Sequence, residues 1–325
     1  MNSCHQRFPI EDFRKLRFRI FTIGYVSEGE SVLGVIDDGD RHLYSFVIDS
    51  YQIGDENDSA FNGTLEKIRE LGISSIDAFI WTHPDTDHSV GIQKLLSEAD
   101  SEARAKIFLP AMLSKELDMT DEARAGMDYL FEHYNKGKKY NMSMVVKNPS
   151  VTHCDHKLTF EERRSGRKIT AEFYFLAPCG ARLLRNTCAN QCFGLNRLSI
   201  MFALRINYFD YLFCGDLMGD DVQFLDKDFL KNVSFVKIPH HGSSHTRQLP
   251  QLMKMQKVAD SIATTTTFSK CNLPEEEIIR IYQSLCGNVY STSEGSHKYG
   301  CIETDFNIRD LSCNVILSGN AKAYV

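Results

Sequence analysis

Trp81-Thr82-His83-Pro84-Asp85-Thr86-Asp87-His88 packs four metal-capable side chains into six residues. The stretch follows an apolar run over 76–81 that reads as a buried strand, and it precedes a helical pattern over 89–98 in which Val90, Leu95 and Leu96 face inward. A turn at the carboxyl end of a strand projects side chains to one side, which is where open α/β layers place their sites. His83, Asp85 and Asp87 alternate and can point into one cavity, and His88 can join them from the helix start. Two imidazoles and two carboxylates make a mixed nitrogen and oxygen site for a divalent metal. Helix capping is the structural alternative. It accounts for one Asp, not for two flanked by two His.

Two further strand ends carry similar groups. Phe213-Cys214-Gly215-Asp216-Leu217 runs from a strand into a glycine that allows close backbone approach, and then into a carboxylate. Val236 and Lys237 lead through Ile238 and Pro239 to His240, His241, Gly242 and His245. Around these ends the pattern alternates strand and helix. Strands are expected over 17–26, 31–37, 43–49, 170–176, 198–206, 208–213, 233–238 and 261–265, with closing strands near 288–292, 300–307 and 313–318. Helices are expected over 62–71, 120–134 and 275–285. In the 120–134 helix, Ala123, Met127, Leu130, Phe131 and Tyr134 would share a face. This is the rhythm of an α/β sandwich.

The 325 residues, 42% hydrophobic and 25% charged, exclude a disordered tail, a collagen-like polymer and a low-complexity scaffold. The net charge of −6 argues against coating nucleic acid by bulk charge and leaves a local basic groove open. Lys136, Lys138, Lys139, Lys147, Arg163, Arg164, Arg167 and Lys168 cluster in a stretch at about 101–170 that reads as an insertion. They form either a solvated face or a phosphate-contacting groove. The ten cysteines contain no CxxC pair and read as free thiols, with Cys179, Cys188 and Cys192 as the alternative metal set. His153-Cys154-Asp155-His156 reads as an exposed turn or a ligand cluster. Residues 1–20 have no apolar h-region, and no apolar run approaches a membrane span, so a cytoplasmic location without membrane contact is expected.

The order HxDxDH, then GD, then PHHGS resembles the metallo-β-lactamase superfamily. The wording THPDTDH, CGDL and KIPHHGSS is most similar to the metallohydrolase domain of ComEC-type DNA-uptake (competence) proteins. RIFTIGYVSEGESVLGVI resembles that family's first hairpin, and FVIDS its Asp-bearing strand end at Asp49. Residues 64–88 follow its helix, strand and loop, and Asn196-Arg197-Leu198-Ser199 resembles its NxxS element. The likeness covers most of the chain outside about 101–170. It implies one hydrolase domain over 1–325, a four-layer αββα sandwich with two metal ions at one edge. Asp85 stands where the superfamily commonly has His, as it does in the DNA-uptake domains. The family's late His-Pro is absent, since Lys270-Cys271-Asn272-Leu273-Pro274 occupies that stretch.

By that resemblance, His83 and Asp85 would hold the first metal, with a third group from near Asn196. Asp87 and His88 would hold the second with His240 or His241, and Asp216 would bridge both. Asp49 would orient a ligand through hydrogen bonds. His240, His241, His245 and His297 are the candidates for the missing late His, and Asp87, His241 and His245 are the candidate catalytic groups. A carboxylate at position 85 brings Mn²⁺ or Mg²⁺ into consideration beside Zn²⁺. Lys237 or the basic stretch would hold a phosphate backbone. The expected activity is a phosphodiesterase acting on nucleic acid or a nucleotide. The alternatives are a thioester, lactone or lactam hydrolase, and a non-catalytic metal-binding partner in a multi-protein defence or stress system. A protein partner or a homo-oligomer is allowed by either.

Overall fold

The apolar runs of the first fifty residues become three antiparallel strands, β2 (Arg17–Tyr25), β3 (Glu30–Asp37) and β4 (His42–Ile48), after an initial β1 (Cys4–Ile10). The computed structural model describes residues 4–54, 60–114, 117–134, 142–148, 153–188, 194–255, 261–293, 295–310 and 312–324. α1 (Gly63–Glu70) follows, capped by the Asn62 side chain, which accepts from the Thr64 and Leu65 N–H groups. Then come β5 (Ala78–Ile80), α2 (Ile92–Ala99), β6 (Lys106–Pro110), α3 (Asp121–Tyr134) and β7 (Met142–Val145). β8 (His156–Glu162) and β9 (Lys168–Ala177) form a hairpin, followed by α4 (Gly180–Cys188). β10 (Met201–Ile206) and β11 (Phe209–Phe213) form another. β12 (Val233–Lys237), α5 (Gln248–Leu252), β13 (Ile262–Thr265), α6 (Glu276–Cys286) and β14 (Asn288–Ser291) lead to β15 (Tyr299–Asn307), β16 (Cys313–Gly319) and β17 (Lys322–Tyr324).

These strands make two sheets in a mixed α/β architecture. The eight-stranded sheet runs β16-β15-β2-β3-β4-β5-β6-β7, and the nine-stranded sheet runs β1-β8-β9-β10-β11-β12-β13-β14-β17. In each, an antiparallel portion passes into a parallel run, β4 to β7 and β11 to β14. Side chains alternate across a strand, so the central strands each serve two cores. Phe18, Ile20, Val32, Phe46 and Ile80 meet Phe173, Phe202, Phe213 and Phe235 of the other sheet. The opposite faces, with Phe21, Leu33, Val47 and Phe79, pack with Leu65, Leu95 and Leu130 of α1, α2 and α3. Ala203, Leu212 and Val236 pack with Leu249 of α5 and Ile278 and Tyr282 of α6. Burial on both faces is why the strands read as near-continuous apolar runs.

The stretch at about 101–170 is woven into both sheets. It supplies β6 and β7 to one and β8 to the other. β7 and β8 are polar at alternate positions, and β6 is only five residues long, so composition does not mark them. On α3, Ala123, Gly126, Met127, Leu130 and Tyr134 are buried, while Phe131 turns outward at 37% exposure. The helix expected from residue 89 starts at Ile92, after a 3₁₀ turn over Thr86–His88 and a left-handed Gly91, and Val90 is only partly buried. Among the described residues, no helix is long and apolar enough to cross a membrane.

The strand ends define two poles. At one lie the carboxyl ends of β4, β5, β11, β12 and β13. At the other lie the β8–β9 and β10–β11 turns, the start of β2 and the end of β15. The ten residues of β9 run most of the way between them, about 30 Å at ~3.3 Å per residue.

Phe46 holds the two sheets together. Its ring lies 5.6 to 6.3 Å from those of Phe18, Phe173, Phe202 and Phe213. A Cβ at Gly34 would stand 2.2 Å from that ring. Phe46→Ala should therefore cost about 3–5 kcal/mol and Gly34→Ala about 1–3 kcal/mol. In urea unfolding the double variant should lose clearly less than the sum, because the new methyl enters the space the ring leaves. Strict additivity would contradict this account of the packing.

Candidate metal centre

The turns at the first pole deliver the polar residues. β4 ends into Asp49, buried with φ 57°. β5 ends into Thr82 and His83, and the following 3₁₀ turn carries Asp87 and His88. Asp85 stands at the cap position of that turn but makes no side-chain cap bond, so capping does not consume its carboxylate. β11 ends into left-handed Gly215 and then Asp216, and β12 into His240 and His241, each with φ 50°. Non-glycine residues in the left-handed region carry strain of about 1–3 kcal/mol each, and such positions concentrate at functional sites.

Three hydrogen-bonded relays fix the imidazoles. Asp49 accepts from the Thr82 N–H (2.7 Å), from Thr82 Oγ1 (2.7 Å) and from His88 Nδ1 (2.7 Å). Because the Thr82 hydroxyl proton goes to Asp49, its oxygen accepts from His83 Nδ1 at 2.9 Å. On the other side, Thr266 Oγ1 donates to Glu30 and accepts from His241 Nδ1 at 2.8 Å. With all three Nδ1 atoms bonded within the fold, the Nε2 atoms of His83, His88 and His241 face the cluster, and that of His241 is hydrogen-bonded to Asp87 Oδ2. A partner on the second nitrogen is the usual way a metal-ligating His is oriented.

Those Nε2 atoms converge on carboxylates. His88 Nε2 lies 3.4 Å from both Asp87 Oδ2 and Asp216 Oδ1. His83 Nε2 lies 3.4 Å from Asp85 Oδ2 and 3.9 Å from Asp216 Oδ2. His241 Nε2 lies 2.9 Å from Asp87 Oδ2. His83 Nε2, His88 Nε2 and Asp216 Oδ1 are buried without any hydrogen-bond partner. Orphaned buried acceptors facing one another are costly unless a cation sits between them. Two compact ligand sets result, His83 with His88 and Asp216, and Asp87 with His88 and His241. Divalent metals therefore fit the residues present. A third set, Glu30 with Asp49 and His88, lies on the Nδ1 side of His88, where the relays already employ it.

The charges are coupled through this cluster. Burial pushes the Asp216 and Asp87 carboxyls up, but the imidazoles of His88 and His241 outweigh it and hold both below the usual carboxylate range. Burial opposes charge on His88 and His241. Asp87, Asp216 and Asp49 around the first, and Glu30, Asp216 and Asp87 around the second, raise both.

The remaining expected residues divide. His240 sits on the His83 side, its Nε2 3.8 Å from Asp216 Oδ2 and 3.3 Å from the Asn196 amide nitrogen, and burial lowers its pKa. His241, not His240, stands beside Asp87 and His88. His245 is exposed, its ring 6.5 Å from that of His240, and His297 is exposed with its N–H bonded to Asn320 and belongs to neither ligand set. Lys237 does not serve as a phosphate contact. It is 2% exposed and paired with Glu30 at 2.6 Å. Lys147 is buried against Asp155 at 2.7 Å, and His153 Nε2 lies 3.6 Å from the same carboxylate. Arg163, Arg164, Arg167 and Lys168 lie at the opposite pole. Lys136, Lys138, Lys139 and Cys192, and the side chain of Cys188, lie outside the described residues.

Glu30, Thr82 and Thr266 carry the relays and are the residues sequence reasoning missed. Glu30 stands in a Gly-Glu-Ser turn, and Thr266 in a run of threonines that reads as strand and turn. Only contact across 236 positions gives them a role. No protein-family model and no curated protein matches the chain.

Glu30→Gln leaves Lys237 buried without its counter-charge, which should cost about 3–5 kcal/mol in urea unfolding of the metal-free protein. Glu30→Gln combined with Lys237→Met should recover much of that loss. A double variant as unstable as the sum of the two single changes would show that the pair is not the source of the cost.

Proposed function

We propose that the chain is a metal-dependent phosphodiesterase of the metallo-β-lactamase type, acting on nucleic acid or a nucleotide. On this reading the two sheets with their flanking helices are the inner and outer layers of a four-layer αββα sandwich, and residues 1–325 form one hydrolase domain. The observation that carries the proposal is the donor set. Three imidazole Nε2 atoms and the carboxylates of Asp85, Asp87 and Asp216 meet at the carboxyl pole of both sheets.

His83, Asp85 and Asp216 Oδ2, with His240 beside them, would hold one divalent ion. Asp87, His88, His241 and Asp216 Oδ1 would hold the other. Two such ions, Zn²⁺ or Mn²⁺ with Mg²⁺ as a third choice, supply Lewis acidity for in-line attack on phosphorus and lower the pKa of a water. Asp216 reaches both halves with its two oxygens and keeps them in register. Asp87, nearly buried beside His241, is the group assigned to accept the proton of the attacking water. Asp49 and Glu30 keep His83, His88 and His241 in the tautomers that bind metal and add negative charge behind them. His245 stands exposed beside His240, where it can protonate a leaving alkoxide.

Mass spectrometry of protein loaded with Mn²⁺ or Zn²⁺ should find two ions per chain, and Asp216→Asn should reduce this to below one. Chelation should lower the melting temperature, since ligand at ~100 times its Kd adds about 2.7 kcal/mol of stability. With Mn²⁺, wild type should cleave a labelled oligonucleotide, and Asp87→Ala and Asp216→Asn should each lose about a hundredfold or more in rate. Cleavage that survives both substitutions, or turnover of a nitrophenyl ester with no phosphodiester cleavage, would overturn the proposal.

A further inference from the structure

The pole opposite the metal-capable cluster holds an open cleft of about 610 Å³. Arg14, Arg164, Arg167, Lys168 and Arg309 line it, with the carboxylates of Glu11, Asp12 and Glu162. Those carboxylates are engaged within the fold. Asp12 accepts from the Arg14 N–H (2.8 Å) and pairs with its guanidinium (2.6 Å). Glu162 accepts from the Phe13 N–H (3.3 Å) and from the Ser165 hydroxyl, and Glu11 pairs with Arg163 at 3.3 Å. Among the described residues, Arg164, Arg167 and Arg309 make no ion pair. Arg167 lies over the Phe13 ring at 5.9 Å, and the Arg309 backbone is pinned to Asn307, so two of the three are held in place.

At the rim stands Tyr208, 79% exposed on the tight β10–β11 turn, where Asn207 has φ 56°. An aromatic ring held on a rigid turn and left in water is a stacking platform. Arg167 and Arg309 also act electrostatically on Glu162 and Asp12, but with no ion pair closed their guanidinium groups can match phosphate oxygens in a bidentate fork. Duplex nucleic acid buries its base faces, whereas a single strand offers them to a ring.

We propose that this cleft binds the phosphodiester backbone of a single-stranded nucleic acid, with Arg164, Arg167 and Arg309 on phosphates and Tyr208 stacked on a base. The site lies about 30 Å from the metal-capable cluster along β9. It is a separate anchoring surface and does not depend on the hydrolase reading.

The test is fluorescence anisotropy of a short fluorescein-labelled oligothymidylate with the full chain in EDTA, which reads binding without turnover. Arg164→Ser with Arg309→Ser should weaken binding about tenfold or more and reduce the salt slope by about 1.4, at ~0.7 per lost phosphate contact. Tyr208→Ala should weaken it roughly fivefold or more. Arg280→Ser, which removes one positive charge at an exposed position on α6, should stay within about twofold. All the altered residues are exposed, and unchanged melting curves confirm that each variant folds. Wild-type affinity in the double variant, or an equal loss in Arg280→Ser, overturns the proposal. So does inorganic polyphosphate competing as well as the oligonucleotide with Tyr208→Ala silent. Binding that the cleft variants weaken, by a chain that cleaves nothing, supports this cleft and defeats the phosphodiesterase. Cleavage unaffected by the cleft variants, together with no loss of oligonucleotide binding in them, does the reverse.

Discussion

One buried carboxylate sets the direction of the site. Asp49, in a left-handed conformation at the end of β4, takes three donors from the next strand end, two from Thr82 and one from His88. It ties two parallel strand ends together and decides which face of each imidazole carries the lone pair. Glu30 repeats the arrangement from the first hairpin through Thr266 to His241, with Lys237 balancing its charge. A buried acid of this kind is tolerable only when its donors are complete. The loops around the cluster therefore have little freedom to rearrange without leaving an uncompensated charge.

Much of this was legible in the chain because strand periodicity and residue chemistry coincide. His83, Asp87 and His88 follow one apolar run, and Asp216 and His241 each follow another. Parallel strands in adjacent positions bring such ends together. The division between His240 and His241 was not legible. Two successive residues, both left-handed, point to different sides, and spacing alone does not say which side each takes. Glu30, Thr82 and Thr266 are not legible because their role is to hold a histidine's Nδ1, Thr82 and Thr266 directly and Glu30 through Thr266, and a polar residue in a turn looks the same with or without that duty.

The basic residues teach the complementary lesson. Arg163, Arg164, Arg167 and Lys168 follow the metal motif closely enough in the chain to suggest a shared groove. Yet β8 and β9 form a hairpin whose turn lies at the far pole. A strand of ten residues is long enough to carry its two ends to opposite sides of the molecule. Lys237 fails for the converse reason. It adjoins the histidines in sequence, but strand alternation turns it inward, against Glu30.

The path of the chain has a consequence for how the molecule is made. β2 pairs with β3 at once, but its other neighbour, β15, is separated from it by more than 270 residues, and β16 then closes that edge. Contacts of such long separation raise contact order and slow folding. During synthesis, the hairpin that carries Glu30 emerges early with one row of backbone donors and acceptors unanswered, and every metal-capable residue leaves the ribosome before that row is filled. The nascent chain thus passes through a stage in which its chemistry is assembled while its first sheet still has an open edge. That interval is the one in which strand-to-strand association between chains competes with folding, and in which a chaperone has something to hold.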